Sequence, residues 1–264
     1  MAAPSSISGL FDHYGRQARL FPGLLTIFPP LLAVLAWFPW LIVSSVGATL
    51  FTLATSCGLL YALSSWTRTK GRRVEMRLLK EWGGWPTTIL LRHTSDLDPN
   101  TRGRYHKYLS RNVPDLVLPS SDEEEDDPSK ADNLYASGVL WLKERVRSNE
   151  FPMIDRENAQ YGFRRNLRGL KNIGVLSCLV TVVVSLAAIS YQIPGFELLT
   201  YDWSALIVQL GAFGAAVWSS LAVNLIAMVA WGTIVTDAWV REGGDQYARA
   251  LLASCDQLQR QDTL

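Results

Sequence analysis

Basic and aromatic side chains alternate at two places in this 264-residue chain, and no other pattern in it is so well suited to binding a ligand. Arginine grips phosphate oxygens through parallel N–H groups, and aromatic rings stack on nucleobases. A nucleotide or a short single strand fits that chemistry. The first cluster consists of Arg102, Arg104, Tyr105, Lys107, Tyr108 and Arg111, with His106 among them; the second consists of Tyr161, Arg164, Arg165, Arg168 and Lys171, with Phe163.

Both clusters also have a structural interpretation. Arginines next to a membrane span orient that span and contact anionic lipid, which favours a structural role for the second cluster. For the first cluster, ligand binding and an ordinary solvated helix face remain equally open. The acidic run Asp122–Asp127 either covers a basic groove and competes with a ligand, or is a solvated linker.

Hydroxyl and amide side chains recur at helical spacing inside apolar stretches. Such stripes either bond to carbonyls of their own helix or bridge neighbouring helices, or they line a water-filled path when several copies assemble. No apolar stretch contains a charged side chain, which favours a pore over an ion-coupled carrier. The candidate pore-lining residues are Ser45, Thr49, Thr52 and Ser56 in one stretch and Gln209, Ser220 and Asn224 in another.

Catalytic and metal-binding motifs are absent from the sequence. It contains no phosphate-binding glycine loop, no zinc-protease helix, no nucleophile elbow and no dinucleotide-binding glycine pattern. The histidines His13, His93 and His106 have no partner at ligand spacing, and the three cysteines are too far apart in sequence to indicate a disulfide framework or a zinc site. We therefore expect neither enzymatic activity nor a cofactor nor a metal.

The elements that position these residues are dominated by long uncharged runs. Leu20–Thr67 carries no Asp, Glu, Lys, Arg or His, and is more than twice the roughly 20 residues that one membrane helix needs. Trp37–Trp40 is the expected turn, because proline ends helices and tryptophan favours the interface. Two further runs, Asn172–Phe196 and Trp203–Thr236, predict a second hairpin and so four spans in total.

Basic residues fix the orientation, because those near span ends stay on the cytoplasmic side. All 25 lysines and arginines lie outside the spans and outside the two external turns, which places both termini and the middle segment in the cytoplasm. The fold class is therefore an all-α polytopic membrane protein. Its parts are an amphipathic lead-in (1–19), a first transmembrane hairpin (20–67), a mainly helical cytoplasmic domain (68–171) with an acidic loop (120–128), a second hairpin (172–236) and a cytoplasmic tail (237–264).

Local signals divide the cytoplasmic domain into elements. The helix of the second span should continue until Gly83-Gly84 stops it, and Asp98-Pro99 should cap the helix of the first cluster. Thr87–Arg92 is compatible with a short strand or an extended piece. A further helix is expected over Ala131–Asn149, and Asp155 should cap a helix that runs into the third span.

This layout resembles that of four-span bacterial membrane effectors of anti-phage defence, and most closely the Hailong-type effector; the four-span effectors of cyclic-oligonucleotide systems are a second fit. The resemblance covers the hairpin, basic middle and hairpin arrangement, with KEWGGWPTTILLRH, GRYHKYL and ENAQYGFRRNLRGLKNIG as its signature-like stretches. It implies a homo-oligomeric inner-membrane channel, such as a tetramer, encoded beside a nucleotidyltransferase. A nucleotide or DNA oligomer would gate this channel, and its opening would dissipate the membrane potential. The alternative function is a non-conducting membrane scaffold that recruits a cytosolic partner.

Overall fold

The chain folds into helices, as the computed structural model shows for residues 14–56, 58–147, 151–193 and 203–262. Over these ranges no strand occurs, which confirms the predicted all-α class. Three helical segments are long and apolar enough to cross a membrane, namely Gly15–Trp37, Pro152–Gln192 and Ala215–Thr233. The protein is therefore membrane-associated, as predicted. Cys57, the predicted second external turn (197–202) and most of the predicted amphipathic lead-in lie outside the described residues.

The helices are named here in chain order. They are α1 (Phe21–Trp37), α2 (Trp40–Val43), α3 (Ser45–Ser56), α4 (Leu59–Trp82), α5 (Pro86–Leu91), α6 (Pro99–Asn112), α7 (Ser121–Asp126), α8 (Pro128–Arg145), α9 (Pro152–Gln192), α10 (Trp203–Gly211), α11 (Ala215–Thr233) and α12 (Asp237–Gln261), with a π-helical turn, Gly15–Leu20, leading into α1.

The chain divides into two compact units. The apolar unit comprises Met1–Arg72 and Asn166–Thr236, and the charged unit comprises Arg73–Arg165 and Asp237–Leu264. Helices α4 and α9 each contribute residues to both units. Their continuity was predicted: α9 is unbroken over 41 residues, and α4 ends at Trp82, before Gly83 and Gly84. These two glycines have φ values of 76° and 140°, which other residues rarely adopt.

In the apolar unit, α1 packs against α11. The buried Asn224 side chain of α11 donates from Nδ2 to the Pro29 carbonyl of α1 at 3.0 Å. The predicted turn is where expected, because α1 ends at Trp37 and α2 begins at Trp40. Elsewhere in this unit Gly71 and Gly169 bring α4 and α9 into backbone contact, since a Cβ built at Gly169 would lie 2.6 Å from the Lys70 carbonyl carbon.

Two of the predicted spans are interrupted. The second is divided among α2, α3 and α4: Ser44 has an extended ψ of 151° at the first break, and Gly58 has a φ of 67° at the second. The fourth is divided between α10 and α11, with Gly214 as the N-cap of α11. At Gly58 the positive φ costs glycine nothing, whereas other residues would be strained there.

In the charged unit α5, α6, α8 and α12 surround one core. Its fully buried members include Leu91, Leu109, Tyr135, Leu142 and Leu251. The C-terminal segment, expected to be a tail, is instead a helix that contributes Leu251, Leu252 and Cys255 to this core. Burial raises the pKa of the Cys255 thiol to about 12, so it is protonated at neutral pH.

Four local predictions differ from the structure. Pro86–Leu91 is a helix, not a strand, because Pro86 is suited to a first helical turn. The 120–128 loop contains α7, capped by Ser120 and Glu123 in a reciprocal capping box. Helix α8 starts and ends a few residues early, at Pro128 and Arg145. Asp155 lies inside the first turn of α9 rather than at its cap, because α9 begins at Pro152.

Candidate basic cleft of the charged unit

The first basic cluster lies on α6. Asp98 caps this helix by accepting a hydrogen bond from the Thr101 amide at 2.8 Å, and Pro99 occupies the first turn, as predicted. Tyr105, Tyr108 and Leu109 point into the core. The helix thereby presents its other polar side chains outward, and these divide into two groups with different surroundings.

Arg102 and Arg104 are engaged within the charged unit. Arg102 donates to the Leu97 carbonyl at 3.3 Å and to the Ser95 hydroxyl at 3.4 Å. Arg104 makes two hydrogen bonds, of 3.1 and 3.2 Å, to the carboxylate of Asp256 on α12. Both guanidinium groups therefore hold α6 to its neighbours, and ligand binding would require them to exchange partners.

Lys107, Tyr108 and Arg111 line a cleft of about 210 Å³. Helix α8 contributes Trp141 and Arg145 to the same cleft, so that its basic lining comes from two helices. The Tyr108 and Trp141 ring centroids are 6.5 Å apart. The complete lining of this basic cleft is Lys107, Tyr108, Arg111, Asn112, Trp141, Arg145, Gln259 and Asp262.

The basic cleft has an uncompensated positive charge. In the described part of the chain, Lys107, Arg111 and Arg145 form no ion pair, and Asp262 is the one carboxylate among the lining residues. Three cations with an aromatic ring beside them attract an anion that also has a flat face.

Sequence reasoning did not find Trp141 or Arg145. They lie four residues apart on α8, so they share a helix face, but about 30 residues separate them from the first cluster. Only the packing of α8 beside α6 brings the two sets together. A tryptophan followed four residues later by an arginine was the one available signal.

The second basic cluster makes internal contacts in both units. In the charged unit, Tyr161 donates to Glu75 Oε1 at 3.0 Å and Arg165 donates to the same oxygen at 2.6 Å. The Glu75 side chain is only 7% exposed, so it is a buried carboxylate with strong partners. Arg164 contacts Glu242 at 2.9 Å and donates to the Trp239 carbonyl at 3.0 Å, which attaches α9 to α12.

In the apolar unit, Lys171 Nζ donates to the carbonyls of Gly232 at 3.1 Å and Val235 at 2.9 Å. These carbonyls lie at the C-terminal end of α11, where a cation is favoured. Arg168 is half-buried on the same helix, α9. The second cluster is thus largely engaged in joining helices.

The acidic run is anchored by Glu124. This buried carboxylate accepts a 2.6 Å hydrogen bond from the Tyr135 hydroxyl and a 3.0 Å bond from the His93 amide. Two of its neighbours, Asp126 and Asp127, line a different cleft, of about 460 Å³, with Asp115, Val117, Leu118, Pro119, Glu123, Lys130, Ala131 and Leu134. Within one copy of the chain, the acidic run therefore does not line the basic cleft.

His93 and His106 face each other edge to face, with ring centroids 5.2 Å apart. His106 Nε2 lies 2.8 Å from the Leu91 carbonyl, which requires Nε2 to carry a proton. Burial lowers the pKa of His106 below its usual 6.5. His13 lies outside the described residues. Among those described, no group of three or more His, Cys, Asp or Glu side chains could hold a metal ion.

The candidate pore-lining residues differ in how deeply they are buried. Ser45, Thr49 and Thr52 are exposed on α3, and the two threonines donate to carbonyls of their own helix, at 2.7 and 2.9 Å. The Ser56 side chain lies outside the described residues. Gln209 is half-buried on α10. Ser220 and Asn224 are buried on α11, where Asn224 also donates to the Ser220 carbonyl.

The chain matches no protein-family model, no curated protein and no solved structure. The resemblance to four-span defence effectors therefore remains a prediction.

Proposed function

We propose that this protein is a ligand-gated pore of the bacterial inner membrane that acts as an anti-phage effector. The chain would cross the membrane four times as two hairpins, with both termini in the cytoplasm, and would work as a homo-oligomer. A nucleotide or short DNA oligomer bound in the basic cleft would control opening. The observation that carries the proposal is the basic cleft itself, located in a unit that shares two unbroken helices with the apolar unit.

Charge and apolar surface support the proposed topology. The apolar part of α9 carries side chains such as Val180, Val183 and Val184, each more than half exposed, which is the surface that lipid covers. Lysines and arginines gather just before this part, as the positive-inside rule requires of a cytoplasmic flank. The breaks at Gly58 and Gly214 leave each hairpin with one interrupted arm, which membrane proteins tolerate where the freed backbone is buried or wetted.

Gating needs a difference in ligand affinity between two conformations. A ligand bridging Lys107 and Arg111 on α6 to Arg145 on α8 would favour the arrangement of the charged unit in which those helices are close. Because α4 and α9 also belong to this unit, that preference would be passed to the helices that continue into the apolar unit. Whether occupancy opens or closes the path depends on which conformation holds the three cations together.

The candidate path is lined by polar side chains that are not buried against their own chain. Ser45, Thr49 and Thr52 fit this description, and Gln209 is half-exposed. Ser220 and Asn224 are better suited to joining α11 to α1, because both are buried in the single chain. A water-filled path would therefore be formed by α3 and α10 of adjacent copies.

Conduction is tested by expressing the protein in a bacterium loaded with a voltage-sensitive dye. A pore depolarises the cells, whereas a scaffold that only recruits a partner leaves the potential unchanged. Gln209→Leu should reduce the depolarisation, and Val208→Leu, at a 75% exposed apolar neighbour, is the matched control. Equal amounts of each variant in the membrane fraction must be verified. Unchanged potential with abundant wild-type protein in the membrane would contradict the pore.

Ligand binding is tested with purified full-length protein and a fluorescent DNA hexamer, measured at several stated salt concentrations. Lys107→Glu with Arg111→Glu should weaken binding about a hundredfold, since each replaces an attraction by a repulsion. Arg147→Glu is the matched control, because Arg147 is an exposed arginine outside the cleft. Equal affinity of all three proteins would remove the basic cleft from the ligand proposal. A nucleotidyltransferase encoded by an adjacent gene would synthesise such a ligand. The expected phenotype of expressing the protein is protection of the cells from phage.

A further inference from the structure

We call the second cleft, of about 460 Å³, the acidic cleft, because its charge is opposite to that of the basic cleft. Four carboxylates line it, and Lys130 is its one cation. Glu123 and Asp127 are engaged as helix caps. In the described part of the chain, the side chains of Asp115 and Asp126 form neither a hydrogen bond nor an ion pair. Beside them Val117 is 76% exposed, so the acidic cleft also offers apolar surface.

The two clefts use one face of the same helix. On α8 the acidic cleft includes Lys130 and Leu134, and the basic cleft includes Trp141 and Arg145. Steps of 4, 7 and 4 residues at about 100° each keep all four on one stripe. Leu134 and Trp141 are about 10 Å apart along the axis, at about 1.5 Å per residue. One face of α8 is therefore negative near its N-terminal end and positive near its C-terminal end.

We propose that this face of α8 binds the same face of a second copy of the chain, with the two α8 helices antiparallel. The acidic cleft of each copy then meets the basic cleft of the other, and the contact occurs twice around a two-fold axis. A patch with opposite charges at its two ends is self-complementary in this arrangement. The inference rests on the homo-oligomer of the proposed function and names the surface that would hold it together.

Membrane insertion constrains the symmetry axis of this contact. All copies enter the bilayer in the same orientation, so any symmetry axis relating them lies along the membrane normal. An antiparallel α8 pair around an axis in that direction requires α8 to lie roughly parallel to the membrane plane, and a tetramer would need a second, different contact. The cations Lys107, Arg111 and Arg145, which form no ion pair among the described residues of one chain, would find Asp115 and Asp126 of the neighbour.

The contact also suggests how a ligand acts on it. Phosphate oxygens and the neighbour's carboxylates would compete for the same three cations. A bound anion would therefore weaken the contact between charged units, and loss of the anion would strengthen it. This makes ligand binding and assembly mutually exclusive at the basic cleft.

Cysteine cross-linking of the full-length protein in native membranes tests the arrangement. Cys57, Cys178 and Cys255 are first replaced by alanine, and Arg111→Cys and Asp126→Cys are then introduced together. A short bismaleimide should give a covalent dimer and nothing larger, because two links close the pair. Arg111→Cys with Ala136→Cys is the control, since Ala136 lies on the opposite, exposed face of α8. A ladder of trimers and larger species, or monomer alone, would overturn the two-fold contact.

Charge exchange gives a second, independent measurement. Lys107→Glu with Arg111→Glu should lower the association constant in detergent about a hundredfold, as juxtaposed like charges do. Adding Asp126→Lys and Asp115→Asn should recover most of that loss; asparagine is chosen because Asp115 has a φ of 57°. A quadruple variant that associates no better than the double variant would contradict the pairing.

The dye assay in the same cysteine-free background separates this inference from the proposed function. Depolarisation without the dimeric cross-link would overturn the contact and leave the pore in place. The dimeric cross-link without depolarisation would support the contact and contradict the pore.

Discussion

Replacing Gly169 by alanine tests whether the backbones of α4 and α9 touch. A new Cβ at this position would lie 2.6 Å from the Lys70 carbonyl carbon, 2.7 Å from the Gly71 nitrogen and 2.8 Å from the Lys70 oxygen. Real Cβ atoms do not approach backbone atoms so closely, and backbone cannot rotate away as a flexible side chain can. The two helices must separate, which costs about 1 to 3 kcal/mol in overpacked sites.

Replacing a helical glycine by alanine also has a stabilising effect, which must be subtracted from the cost of separating the helices. Alanine in an open helix is more stable than glycine by roughly 0.5 to 1 kcal/mol, because glycine loses more backbone freedom on folding. Beyond its chain neighbours and the backbone of its own helix, no described atom lies within 4 Å of a Cβ built at Gly103 on α6, so this position provides that reference. We therefore expect Gly103→Ala to raise the free energy of unfolding by roughly 0.5 to 1 kcal/mol and Gly169→Ala to lower it by about 1 to 2 kcal/mol.

Thermal unfolding of both variants in the same detergent measures the difference. At about 2 to 4 °C per kcal/mol for a chain of this size, Gly169→Ala should melt roughly 2 to 8 °C below wild type. Gly103→Ala should melt at or slightly above wild type. If Gly169→Ala were as stable as Gly103→Ala, the helices would not be in contact there, and the packing described for the apolar unit would be wrong.

Three further predictions concern the polar contacts. Tyr135→Phe removes the hydroxyl that donates to buried Glu124, and should cost about 1 to 3 kcal/mol in denaturant unfolding; no loss would mean that Glu124 is solvated. Because burial lowers the pKa of His106, its contribution to stability is complete above about pH 6.5 and is lost as the pH falls through the folded-state pKa. Acidification should therefore lower the melting temperature of wild type more than that of His106→Gln. Lys171→Met should destabilise the chain by about 0.5 to 1 kcal/mol without changing DNA-hexamer affinity, and a change in affinity would return the second cluster to the ligand site.

Signals that act within a few residues were sufficient to predict several features of the fold. The Gly83-Gly84 stop and the Asp98-Pro99 cap are decided by local φ preferences and one side-chain hydrogen bond, both visible in sequence. The break near Gly58 was not predicted, and the 34-residue length of Trp203–Thr236 indicated a tilt, a kink or an extension without locating the break near Gly214. Hydropathy averages over about 20 residues and is insensitive to a single glycine in an apolar run.

The site was harder to predict because its members come from different helices. Spacing on α6 identified Lys107 and Arg111 but did not separate them from Arg104, whose partner, Asp256, lies 152 residues away. The role of the second cluster depended similarly on Glu75, a lone acid in a basic stretch of α4. Partners distant in sequence decide whether a cation is free, and periodicity carries no information about them.

The chain order of the charged unit has a consequence for biosynthesis. Its core needs α12, which leaves the ribosome only after α9, α10 and α11 have been made. Domains usually fold as soon as their residues have emerged, starting from the N-terminus. Here the segment from Arg73 to Arg165 must wait, with Leu109 and Leu142 still lacking Leu251 and Leu252. A nascent chain therefore completes the core of its charged unit only after the helices of the apolar unit have been synthesised, which delays any assembly through that core until translation is nearly finished.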